Sequence, residues 1–111
     1  MTPYQQRLYR QEIEELTVLL RDDPKWEGLR RVLRRRGVRP SDTLLAAFME
    51  DENGMEYGAL VTGGGRVIEY HRRVGPPGRW PRVLAWRDRT GDPEVVREYP
   101  QIPVALEMHR A

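Results

Sequence analysis

The chain has no cysteine, so it can build neither a disulfide framework nor a thiolate nucleophile. It has one serine, Ser41, and two histidines, His71 and His109. A Ser-His-Asp arrangement would have to recruit Ser41, which follows Arg39-Pro40 at a break between elements. There a serine more readily caps a turn than attacks a substrate. Two histidines are also too few for an imidazole-rich zinc site. Glu69 and His71 share a strand face and supply two ligands, where a structural site needs four and a catalytic one three plus water. No metal and no cofactor is expected. No apolar run reaches the length of a membrane span, and no apolar leader opens the chain. The expectation is a cytoplasmic protein that does not enter a membrane.

Lysine is nearly absent as well. Lys25 stands beside eighteen arginines, which codon bias toward GC-rich codons explains as readily as function does. The net charge is only +2, but it is laid out in blocks. Residues 24–40 hold Lys25 and six arginines against Glu27 alone; residues 42–57 hold five acids and no base. Residues 66–89 hold seven arginines against Glu69 and Asp88. Alternation of this kind favours attraction between neighbouring elements as well as toward an outside partner. With 39% apolar residues in 111, the chain is long enough to bury a core, and one domain spanning 1–111 is expected.

The most constrained stretch is Met55–Val74. Two strand-like runs flank Gly63-Gly64-Gly65, and a three-residue glycine loop is a common hairpin connection. That loop pairs Thr62 with Arg66, and then Leu60 with Ile68, Gly58 with Tyr70 and Glu56 with Arg72; a two-residue loop would instead pair Tyr57 with Tyr70. An apolar pair, a glycine covered by a ring and an opposite-charge pair are each favourable cross-strand neighbours. The opposite side carries Val61–Val67, Ala59–Glu69, Tyr57–His71 and Met55–Arg73. A phosphate-binding glycine loop would open a helix, whereas Arg66-Val67-Ile68 is strand-like, so the hairpin is preferred.

Before the hairpin the pattern is helical. Thr2-Pro3 is a cap followed by a first-turn proline, and Tyr9, Ile13, Leu16 and Leu20 form one stripe to about Arg21. Asp23-Pro24 starts a second helix with Trp26, Leu29, Val32 and Leu33 on one side, ending at Gly37. Thr43–Glu50 is compatible with a short helix or a strand. The Asn53-Gly54 turn that follows favours the strand, with Leu44, Ala46 and Phe48 facing one way and Leu45, Ala47 and Met49 the other. Arg82–Arg87 makes a fourth strand and Asp92-Pro93-Glu94 starts a short helix; Ile102–His109 is compatible with an extended tail or, the preferred reading, a second short helix opened by Pro103. The predicted class is α+β: a helical hairpin over 1–38, a four-stranded antiparallel meander over 43–89 and a helical segment over 92–111. The hairpin covers one face of the sheet and the C-terminal segment completes the core.

No catalytic set stands out, and general acid–base work by Tyr57, Glu69 and His71 competes with a plain polar sheet face. The preferred function is a non-enzymatic protein-binding module of the accessory, inhibitor or antidote type, with a protein partner or a second copy of itself. The candidate contact residues are Tyr57, Glu69, His71, Trp80 and Trp86; Trp80, Trp86, Tyr57 and Tyr70 with neighbouring arginines match the composition of interface anchors. The first helix also carries Tyr4, Leu8, Val18 and Leu19 beyond its stripe, more than a single buried face needs. The alternative is nucleic-acid binding. Arg30, Arg31, Arg34 and Arg35 fan over the second helix, and Arg36 and Arg39 extend the patch, unless Glu50-Asp51-Glu52 neutralises it internally.

Overall fold

Thr2 and Gln5 cap one another: the Gln5 N–H donates to the Thr2 hydroxyl at 3.1 Å, and the Thr2 N–H donates to the Gln5 side chain at 3.0 Å. This reciprocal cap starts helix α1 (Pro3–Asp22). The computed structural model describes residues 1–74 and 82–111. The Asp23 carboxylate accepts from the Lys25 N–H at 2.8 Å and sets a 3-10 turn, Pro24–Trp26, ahead of helix α2 (Glu27–Arg35). The proline start therefore begins a 3-10 turn before the α-helix proper. Helix α2 closes on Gly37 at φ 75°, with Val38 N–H bonded to the Leu33 carbonyl and Gly37 N–H to the Arg34 carbonyl. Two such bonds satisfy carbonyls that the helix end would otherwise strand, and a left-handed residue is what they require.

Strands β1 (Leu44–Glu50), β2 (Met55–Thr62), β3 (Arg66–Arg73) and β4 (Arg82–Asp88) form an antiparallel sheet in the order β1-β2-β3-β4. The β2–β3 register is the one complementarity dictates: Thr62 opposite Arg66, Leu60 opposite Ile68, Gly58 opposite Tyr70, Glu56 opposite Arg72. Residues 43–50 take the strand alternative, but simple alternation fails there. A register shift between Leu45 and Ala47 leaves Ala46 extra, so that Leu45 faces Leu60 and Phe48 faces Gly58. The bulge thus puts Leu45 and Phe48 on one side and Leu44, Ala47 and Met49 on the other. Helices α3 (Pro93–Glu98) and α4 (Ile102–Arg110) follow, the first capped by Asp92. Ser41 lies within a 3-10 turn, Pro40–Asp42, whose cap position is Arg39 and which has no side-chain cap bond.

The sheet is covered on both faces. On one, Leu20, Trp26, Leu29 and Leu33 pack against Leu45, Leu60, Ile68 and Tyr70. On the other, Val95, Tyr99, Ile102 and Val104 pack against Ala47, Ala59, Val61 and Val67, joined by Ile13 of α1. The C-terminal helices therefore form a second layer rather than filling a gap in the first. Helix α1 contributes to both cores because it runs beside β1. Its buried Thr17 hydroxyl accepts the Leu45 N–H at 3.0 Å, so a side chain satisfies a strand donor in place of a further strand. No helix among the described residues is long and apolar enough to cross a membrane.

Candidate functional site

The Glu56–Arg72 pair opens a polar cluster inside the first core. Arg72 Nε lies 2.7 Å from Glu56 Oε2, and its Nη2 lies 3.2 Å from Oε1. The Tyr70 hydroxyl donates to the same Oε2 at 2.7 Å, and Arg72 Nη1 donates to the Lys25 carbonyl at 3.2 Å. The guanidinium also lies 4.5 Å from the Trp26 ring centroid, a cation–π contact. Glu56, Tyr70 and Arg72 have no solvent exposure. Burial first, and then the Glu56 charge, push the Tyr70 phenol well above its usual range. These bonds tie the sheet to the 3-10 turn, and the three side chains are buried.

Tyr57, Glu69 and His71 lie together on the other side of the sheet, at an open cleft of about 490 Å³ also lined by Arg87, Arg89 and Tyr99. Tyr57 meets His71 edge-on, with ring centroids 4.7 Å apart. Glu69 is buried, and Arg89 donates to its Oε1 at 2.9 Å while holding Asp92 at 2.7 Å. Tyr99 is raised to about 12, chiefly by burial and then by the Glu69 charge. The Tyr57 hydroxyl donates to Asp51 at 3.3 Å, and backbone donors led by the Met55 N–H hold Asp51 below the usual carboxylate range. Glu69 is thus neutralised, Tyr57 is bonded away from the sheet, and His71 makes no side-chain hydrogen bond among the described residues.

Trp86 does not join this group. It pairs with Tyr70, hence on the opposite sheet face, where the Arg36 guanidinium lies 4.9 Å from its ring centroid. Strand alternation alone separates it from Tyr57, Glu69 and His71. Trp80 lies outside the described residues.

The six arginines also divide. Arg30 is 7% exposed and belongs to the core: its Nη1 donates to the Leu20 and Asp23 carbonyls at 2.8 and 2.9 Å, and its Nε to Glu27 at 2.9 Å. Including it in a solvent-facing patch is corrected by these bonds, since it satisfies carbonyls where α1 ends. Arg31 and Arg34 reach Glu27 at 3.6 and 3.4 Å. The Arg30 hydrogen bond, ahead of the other arginine charges, keeps the Glu27 carboxyl below its ordinary range. Glu27 is a shared counter-ion of Arg30, Arg31 and Arg34. Glu50 pairs with Lys25 at 3.6 Å, and Asp51 is occupied by its own turn. Arg35, Arg36 and Arg39 are exposed.

The sequence argument from surplus apolar surface leads to the outer side of α1. Tyr4, Leu8, Val18 and Leu19 are 63%, 47%, 58% and 37% exposed, so neither α2 nor the sheet covers them. Tyr4, Leu8, Gln11, Glu15 and Val18 follow one another at spacings of four, three, four and three, the repeat of a helix-pairing seam. Gln11 donates to Glu15 at 3.3 Å along that seam, and Arg7 and Glu14 flank it. No protein-family model, no curated protein and no solved structure matches the chain.

Proposed function

We propose that the chain is a small non-enzymatic protein-binding module that pairs with a second copy of itself through the outer side of α1. The observation that carries this is the row Tyr4, Leu8, Val18 and Leu19, exposed on a twenty-residue helix whose opposite side is packed. Apolar side chains in register along one helix face are what a helical partner covers. Flanking charge favours a second copy in antiparallel orientation: Arg7 and Glu14 occupy equivalent heptad positions seven residues apart, so each meets its opposite on the other chain. The polar Gln11 and Glu15 within the seam would weaken the pair and fix its register.

The Tyr57–His71 cleft supports the non-enzymatic part of this proposal, since the buried carboxylate that lines it, Glu69, is paired with Arg89. Leu8→Glu with Val18→Glu tests the surface. Both side chains are exposed, so the expected result is loss of self-association with an unchanged thermal melt. Association that survives both substitutions would place the contact elsewhere.

A further inference from the structure

Several arginines are gathered by the fold around a short loop. Gly37-Val38-Arg39 separates two clefts, of about 650 and 420 Å³, and contributes to the walls of both. Arg21, Arg30, Arg34 and Arg39 line the first, with Asp22 as its acid. Arg36, Arg39 and Arg66 line the second, with Asp42 as its acid and the Trp86 ring in its wall. Six arginines against two aspartates thus line adjoining clefts of a chain whose net charge is +2, so positive charge is concentrated here. Two of the six serve the fold: Arg30, as above, and Arg21, which donates to the carbonyls of Pro40, Ser41 and Thr43. Arg66 pairs with Asp88, and Asp42 faces His109 at 3.3 Å, which turns the one acid of the second cleft toward α4. Among the described residues, no side-chain hydrogen bond or ion pair is found for Arg39, and the one side-chain contact of this kind for Arg36 is with Trp86.

We infer that this loop and its two clefts form a binding track for single-stranded nucleic acid, independent of the α1 surface. The phosphates run across Arg39 and Arg36, with the exposed Arg34 joining them although it also reaches Glu27 at 3.4 Å, and the Arg36–Trp86 cation–π pair supplies a π-rich contact beside them. Three features favour a strand over a single anion. The positive charge extends through two clefts rather than converging on one point. The guanidinium of Arg36 lies 4.9 Å from the Trp86 ring centroid, so charge and a π-face stand side by side where a base can be received. A duplex, by contrast, is read by a helix projecting into a groove, and α2 is nine residues long with Leu29 and Leu33 buried against the sheet.

The test is fluorescence anisotropy with a labelled oligouridine of about twelve nucleotides, within the ~4–16 nucleotides covered by known single-strand sites. The full chain should bind it at low salt, and affinity should fall with salt at a log–log slope of about −0.7 per phosphate contacted. Arg36→Glu with Arg39→Glu should weaken binding by about tenfold or more, because two phosphate contacts become repulsive. Arg97→Glu, on α3 across the sheet and paired with Glu94, should leave binding unchanged. Both altered arginines of the double variant are exposed, and an unchanged circular dichroism melt verifies its fold. No binding by the folded chain, or binding indifferent to the double substitution, would overturn the inference. So would equal affinity for a duplex of the same length, or competition by uridine monophosphate as effective as by the oligomer.

Discussion

Arg72 is held between two partners of different chemistry: the Glu56 carboxylate at 2.7 Å and the Trp26 ring at 4.5 Å. Glu56 and Arg72 have no exposed surface, so each charge depends on the other for the solvation it gave up. Arg72→Met leaves the Glu56 carboxylate buried and unpaired, and should cost about 3–5 kcal/mol. Replacing the whole cluster, with Arg72→Met, Glu56→Leu and Tyr70→Phe together, should recover most of that loss, because no buried charge is then stranded and only the Lys25 carbonyl, at a part-buried bond, loses a donor. Urea denaturation midpoints of the two variants check this. A triple variant weaker than Arg72→Met would mean that the cluster contributes more than it costs to bury.

Gly58 answers to the same cluster from the facing strand. A Cβ built at this position meets Cε1, Cζ and the hydroxyl oxygen of Tyr70 at 2.5 Å. Gly58→Ala must therefore push the ring off the strand or bend the strand away from it, at a cost of about 1–3 kcal/mol. Tyr70→Val makes room for the methyl group, so in a double-mutant cycle the two changes together should cost less than the sum of each alone. Strict additivity would contradict the close approach seen here.

Alkaline pH singles out Tyr99. Its pKa rises from 10.0 to about 12 on folding, because the buried phenol resists ionisation next to Glu69. Between those values the unfolded chain has lost a proton that the folded chain retains. The contribution of Tyr99 to stability is therefore complete below pH 10 and is lost as pH rises through about 12. Tyr99→Phe should flatten this part of the stability–pH curve, while Tyr70 continues to contribute in the same direction. Urea midpoints followed from pH 9 upward in both proteins measure the difference. Identical slopes would mean that Tyr99 titrates as an exposed phenol.

The hairpin was legible because three pairs had to agree at once. Only one register sets Leu60 by Ile68, a glycine under Tyr70 and Glu56 by Arg72, and a one-residue slip loses all three. Caps and prolines placed the helix starts for the same local reason. Arg30 was not legible, because its partners are backbone carbonyls of Leu20 and Asp23, which carry no side-chain signature. The bulge at Ala46 escaped too, since an Ala-Ala step looks the same in either register. Trp86 and Tyr57 have similar composition value as interface anchors, and only strand pairing shows that they face opposite layers.

Self-association through α1 is decided most directly by sedimentation equilibrium on the purified chain. The account predicts a concentration-dependent rise from the 13.1 kDa monomer toward twice that mass, which Leu8→Glu with Val18→Glu abolishes. A mass fixed at 13.1 kDa over the whole concentration range would contradict it.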